Sequence, residues 1–472
     1  MRVRLLQHAS PPGTVRVWVG VVDGDVTTVR LMHQGQPLAA AQLALELPPG
    51  RAGSVQTALY EFATATPIWI EAQVQGKTVA SLQARPLPRL TPGQRFNMLL
   101  GSCYYYDKAN HGAIDKALGE VRKLCGGGAP DLCALMGDQV YLDLPWHKNF
   151  QDDLDWLRDR FLDDYIRNWF DQPGFGAVLA SAPLLLIADD HELWNNAPER
   201  QFHMNNTHSA AGRQRWRQAA LEAFHAFQRP RVAAAPGMPE FIDIEAGALR
   251  LLGLDLRWLR RAKSDFPANP LLARLDGGSD MYLRLQTALT AAHAAGAVPV
   301  ILSGQGLFRG ATGSMTDFEQ ADFPDFRQFC QAVAGHPQKL IYLTGDVHWG
   351  RVMYAKHTGG AANDGVYEAF VSPMALLDWQ PRYRPWRDWP RHSDPDFDDL
   401  GPFRKHAGGS HLQPAHLTAV RRSNGASLER AGQTGDQLAL LSIEHQGARM
   451  AAHIHYLSLN NTPSAGMTVR LF

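Results

Sequence analysis

Residues 183–196 read PLLLIADDHELWNN, and this stretch decides the fold. The unbroken apolar run from Leu184 to Ile187 is too short for a helix. Bounded by Pro183 and a group of acids, it suits a strand buried on both faces. It breaks abruptly into Asp189, Asp190, His191 and Glu192. The same design recurs three times. FNMLLGSC (96–103) ends at Cys103, and DLCALMGDQVY (131–141) ends in Asp138 and Tyr141. KLIYLTGDVH (339–348) ends in Asp346 and His348. Between these strands lie stretches with helical spacing, such as 113–125, 151–170 and 213–229. In the second, Leu154, Leu157, Phe161, Tyr165 and Trp169 recur at intervals of three and four. VPVILSGQGLF (298–308) is another strand entering a polar loop. Apolar strands alternating with helices predict an α/β core from about residue 95 to about residue 400. In such a core the C-terminal strand ends converge on one crevice.

Residues 1–90 differ. TVRVWVGVV, TTVRLMHQ, VQTALYEFA, PIWIEAQVQ and KTVASLQA are short alternating runs separated by turn-forming residues. They predict a small N-terminal β-sandwich domain, 1–90, with PLPRLTPGQ (86–94) as its exit linker. Residues 95–472 are expected to form the catalytic domain, the segment after 436 reading as late strands. A loop at 378–400 is rich in Pro, charge and Trp; Trp379, Trp386 and Trp389 either cover a site or staple the loop to the core.

Composition excludes several classes. The 472 residues carry 46 Lys+Arg against 46 Asp+Glu, so a nucleic-acid binder working by net charge is excluded. With 45% hydrophobic residues there is ample material for a core, which excludes disorder as the main state. Four cysteines in this length do not build a disulfide scaffold. The start, MRVRLLQHASPPG, lacks a secretory apolar region, and no long apolar run predicts a membrane span. A cytoplasmic location is the expectation, although a mature exported form would read the same.

The strand ends gather several carboxylates, two imidazoles, a thiol and a phenol. Such a cluster costs like-charge repulsion and desolvation, and bound cations remove both penalties. In GDQVY, Asp138 and Tyr141 are close enough to share one ion, and two carboxylate oxygens let Asp138 bridge two ions. A phenolate with a thiolate favours a charged hard-to-borderline ion such as iron(III). Asp190 serves a second ion, and Asp346 and His348 lie two apart on a tight loop. Any one of these aspartates is ordinarily an Asx turn or a helix cap, and Cys103 and Tyr141 are ordinarily core residues. That explanation is poor for the set together. Asp189 either orients a neighbour or ligates. His147, His203, His208 and His357 read as loop or surface histidines.

The ordered set GSC, GDQVY, ADDHELW, ILSGQGLF, LTGDVHWG and YEAFVSP resembles the PhoD-like (alkaline phosphatase D) branch of the calcineurin-like metallophosphoesterases, over about residues 96–375. The resemblance implies a four-layer α/β/β/α sandwich preceded by an immunoglobulin-like β module. It implies a dinuclear centre, with Cys103, Asp138 and Tyr141 on iron(III) and Asp138 bridging. Asp190 stands where the wider superfamily has Asn and implies a ligand of the second metal, calcium in this branch, with Mn2+ or Zn2+ as alternatives. His191 corresponds to the catalytic histidine, and Asp346 and His348 to the last ligand motif. Two ions about 3.5–4 Å apart would polarise the phosphoryl group and activate water for in-line attack. Phosphate also needs cationic help; Arg351 and Arg309 follow site strands, and Lys148 and His147 are weaker candidates. A small-molecule phosphate ester is the expected substrate, monoester or diester. The alternatives are a metal-dependent nuclease, a carboxylic esterase on the same centre, or a non-catalytic binding protein. No G-x-S-x-G motif stands at a strand end, which disfavours a serine hydrolase.

Overall fold

The structure is a computed structural model. It describes the chain except residues 44, 46–54, 146–149, 233–240, 261–273, 276–278, 308–319, 321–325, 347, 349, 358–363, 377–411, 414–435 and 460–466. The Trp-rich loop at 378–400 lies outside the described residues, as do His147, Lys148 and Arg309 and the side chain of His357.

The chain is mixed α/β with several sheets. Strands Arg95–Gly101, Leu132–Met136 and Leu184–Ile187 run parallel, with Cys133 paired to both Leu99 and Leu184. They form the middle of a ten-stranded sheet. A seven-stranded sheet holds Leu249–Leu254, Val298–Ser303, Leu340–Thr344 and Gly365–Phe370, again parallel in that order. Side chains alternate across each strand. Met98, Leu100, Ala134, Met136, Leu185 and Ile187 therefore face a core shared with Leu249, Leu251, Val300, Leu302, Ile341 and Leu343 of the second sheet. Leu99, Cys133, Leu135, Leu184 and Leu186 face the other way, onto helices. Burial on both faces is why these strands read as unbroken apolar runs.

The helices on that outer face are α1 (His111–Leu124), α2 (Leu154–Ile166), α3 (Pro173–Leu179) and α4 (Ala210–Phe227). Of the five periodic residues in α2 and its continuation, Leu157, Phe161, Tyr165 and Trp169 are fully buried. The Asp153 side chain caps α2 by accepting from the Trp156 N–H at 2.8 Å. Helix α5 (Met281–Ala294) packs on Leu249–Leu254 and Val298–Ser303 through Met281, Leu285, Ala288, Leu289 and Ala292; α6 (Phe326–Gly335) packs on α5. No helix among the described residues is long and apolar enough to cross a membrane.

The N-terminal strands form two facing sheets with a core of Leu5, Val15, Val17, Val19 and Val21 against Leu31, Ile70, Ala72 and Ala84. One of these sheets is not separate. Strand Arg2–His8 pairs with Leu184–Ile187 at His8, so the ten-stranded sheet runs on through Thr14–Val22 and Val55–Ala63. Trp18 lies fully buried in the helical core and donates from Nε1 to the Ala226 carbonyl at 2.8 Å. The exit segment 86–94 is likewise more than a spacer. Leu87 and Leu90 are buried, and Leu90 exchanges backbone hydrogen bonds with Ala246 and Ala248 at 2.9 Å. The late strands extend the ten-stranded sheet, with Gln437–Gln446 antiparallel to Arg95–Gly101.

Candidate metal centre

The parallel order puts the C-terminal ends of both sheets at one place. Cys103 follows Gly101 and Asp138 follows Met136, with Asp189 and Asp190 after Ile187. Asp255 follows Leu254, Gln305 follows Ser303, Asp346 follows Thr344 and Ser372 follows Phe370. Eight non-glycine residues among those described have positive φ; Cys103 (54°), Asp138 (58°), Asp346 (65°) and His348 (45°) are half of them. Such a conformation costs about 1–3 kcal/mol per residue and clusters at functional sites. Two glycines allow the strand ends to meet. A Cβ on Gly137, whose φ is 90°, would lie 2.4 Å from Asp189 Cβ. One on Gly345 would lie 2.3 Å from the Met136 carbonyl oxygen, across from the other sheet.

Asp138 is central and buried. Its Oδ2 is 3.4 Å from both Cys103 Sγ and the Tyr141 hydroxyl, and its Oδ1 accepts from the His191 N–H at 3.2 Å. Asp138, Asp190 and His191 offer ligand atoms all within 4.8 Å of one another. Asp189, Asp190 and Asp346 form a second such group, so Asp190 belongs to both. The Ser372 hydroxyl donates to Cys103 Sγ at 3.0 Å. The Tyr141 ring lies over His191 at 4.1 Å.

Burial pushes the Cys103 thiol, the Tyr141 phenol and the Asp138 carboxyl well up, and neighbouring acids push each further. Burial also raises Asp189 well above the usual carboxylate range, against the opposing charge of Arg257. Burial works the same way on Asp190, but His191 and Arg257 outweigh it and hold this carboxyl low. Burial disfavours protonated His191, yet Asp143, Asp190 and Asp138 hold its pKa well above the usual value. Asp143 accepts from His191 Nδ1 at 2.7 Å and, through Oδ2, from the Asn195 N–H at 2.9 Å.

These residues fit metal ions. Asp189 Oδ2 and Asp190 Oδ1 are buried and have no hydrogen-bond partner. Buried carboxylate oxygens are ordinarily hydrogen-bonded, so two orphaned ones within a ligand group call for a cation. The nearby cation Arg257 binds Asp189 Oδ1 at 2.7 Å, and its Nη2 stands 3.9 Å from Asp190 Oδ1. Metal ions would also favour the ionised thiol and phenol that burial opposes.

Of the residues singled out from sequence, the structure brings Cys103, Asp138, Tyr141, Asp190, His191 and Asp346 together. His348 donates its backbone N–H to the Asp346 carbonyl at 2.9 Å and joins neither ligand group. Arg351 opens the strand Arg351–His357, paired with Phe370, and its side chain lies outside the described residues. His203 and His208 are exposed. Gln305 is buried and accepts from Arg260 Nη2. Sequence reasoning named Glu192 in the acidic break without giving it a role, and missed Asp143, Arg257 and Arg260. Only Glu192 carried a signal, as the third residue of a capping box begun by Asp189.

Residues 98–297 match the family model for PhoD-like phosphatase. The segment includes Cys103, Asp138, Tyr141, Asp190 and His191, while Asp346 and His348 lie beyond it. A solved structure titled "Structure of PhoD" is similar in fold, with a TM-score of 0.60 at 13% identity, covering 98% of this chain and 88% of that one. Comparison with curated protein sequences gave no match. The matched segment, under half of the chain, is thus similar to PhoD-like phosphatases, and the fold is similar to that of PhoD.

Proposed function

We propose that this enzyme hydrolyses a small-molecule phosphate ester at a dinuclear metal centre. The observation that carries the reading is the pair of overlapping ligand groups that share Asp190, beside a thiol and a phenol on one oxygen of Asp138. Cys103, Asp138 and Tyr141 would hold one ion, and Asp138, Asp190 and Asp346 the other, with His348 a further ligand candidate. The thiolate–phenolate pair supports iron(III) in the first position. Calcium is proposed for the second, with Mn2+ or Zn2+ as alternatives. When bound, such ions supply Lewis acidity toward phosphoryl oxygens and lower the pKa of water.

The protein residues then act as follows. Asp143 orients the His191 ring through Nδ1 and favours its protonated form, which would suit it to donate a proton to the leaving oxygen. Arg257 offsets the charge of Asp189 inside the site. The family match does not favour nucleic-acid cleavage, carboxylic ester cleavage or a non-catalytic role.

Elemental analysis with a visible spectrum tests the reading. Protein purified without chelator should contain iron with a tyrosinate charge-transfer band, and should release phosphate from an aryl phosphate ester. Chelation should abolish both the band and the release. Colourless protein holding only zinc or calcium would refute the iron assignment, and full activity after complete metal removal would refute the centre.

A further inference from the structure

We propose that Glu192 is a positioning residue, which sets the placement of the two ligand-bearing loops without binding an ion itself. The inference rests on the metal-centre reading above. Glu192 is fully buried between neighbours in the ligand groups, Asp190 and His191 on one side of it in sequence and Asp138 in space. Its Oε2 accepts from the Asp138 and Asp189 N–H groups, both at 2.8 Å. Its Oε1 accepts from the Gln139 N–H at 2.7 Å and from Gln228 Nε2 at 3.1 Å.

A carboxylate has about four lone-pair sites. Four donors occupy them, so Glu192 has no free site for an ion. In keeping with this, Glu192 belongs to neither ligand group although it is adjacent to His191. Its work is done on backbone. One oxygen ties the Asp138 loop to the Asp189 loop through a single atom. Asp138 has left-handed φ, and its buried N–H would otherwise be orphaned. Held there, Asp138 turns its carboxylate to Cys103, Tyr141 and the His191 N–H. Charge-assisted bonds of this kind are the strong ones. Gln228 stands just past α4, so the clip also anchors both loops to the helical layer.

Glu192→Gln isolates the role. An amide offers one acceptor and one NH2 group. Whichever way it turns, the NH2 meets two of the four donors. Loss of such an outer partner ordinarily costs about 10–100-fold in metal affinity or activity. The test titrates Mn2+ alone into metal-free wild type, Glu192→Gln and Asp138→Asn, followed by the Mn2+ EPR spectrum, with kcat and KM on an aryl phosphate ester. The expected result for Glu192→Gln is a folded protein with affinity lowered by about 10–100-fold, an altered spectrum, and at saturating Mn2+ a lowered kcat with KM little changed. If Asp138→Asn loses the ion while Glu192→Gln binds with wild-type affinity, spectrum and rate, the centre stands and the positioning role is overturned. If Asp138→Asn retains the ion, both readings fall. Should Glu192→Gln not fold, hydrogen exchange on metal-free wild type decides. The Asp138, Gln139 and Asp189 amides should be strongly protected, and rapid exchange at them would overturn the proposal.

Discussion

Asp143→Asn should separate the role of His191 from that of the metal ligands. Asp143 is fully buried and makes two bonds, from His191 Nδ1 at 2.7 Å and from the Asn195 N–H at 2.9 Å. Asn offers one acceptor oxygen, so one of these donors must face its NH2 group. An unsatisfied buried donor costs about 1–3 kcal/mol, more if it is charged. The raised pKa of His191 gives the effect a pH signature. Its stabilising contribution is complete below about pH 6.5, the unfolded value, and is lost as pH rises through the higher folded value. Bound ions would neutralise Asp138 and Asp190, leaving Asp143 as the group that retains the proton. The stability deficit of Asp143→Asn should therefore be largest near about pH 6 and shrink on the alkaline side. General-acid loss of about 3 kcal/mol corresponds to about 100-fold in rate. The assay is kcat/KM on an aryl phosphate ester across the range in which histidine titrates, with thermal unfolding at acid and alkaline pH. The expected outcome is a drop of about 100-fold in kcat and an alkaline limb moved to lower pH. Wild-type kcat with an unmoved limb would refute the role of the pair.

Three further outcomes are expected. Arg257→Met leaves Asp189 buried without its 2.7 Å partner, both residues being 2% exposed; about 3–5 kcal/mol of stability should be lost. Because burial already raises the Asp189 carboxyl, that deficit should be small at acid pH and grow only as pH climbs through the raised folded value, which denaturant unfolding at several pH values checks. Gly345→Ala places a Cβ 2.3 Å from the Met136 carbonyl, where backbone must shift, so about 1–3 kcal/mol should be lost and metal binding weakened; equal Tm and metal content would contradict this. Asp138→Asn should remove metal at both positions, and elemental analysis showing full occupancy would contradict the bridging role.

Much of the fold was legible because its signals are local. Leu184–Ile187 reads as a strand because both of its faces are buried, and α2 reads as a helix because one of its faces is. The acidic breaks after these strands were visible for the same reason. The attachment of the N-terminal module was not. His8 pairing with Leu184 and Trp18 reaching Ala226 join segments far apart in sequence, and no pattern within either segment specifies its partner. The exit segment read as a linker from its Pro and Gly, yet two leucines bury it against the second sheet.

The sequence by itself determined on which strand ends the candidate residues stand, because apolar runs and their breaks are properties of neighbouring residues. Only the tertiary structure decided their partnerships. Asp143 meets His191 across 48 positions, Glu192 meets Asp138 across 54, and Arg257 meets Asp189 across 68. Each contact requires a particular parallel strand order and register, and in two of the three a shared carboxylate must serve several donors at once. Such pairings are set by where the chain crosses over between sheets, which hydrophobic periodicity does not encode.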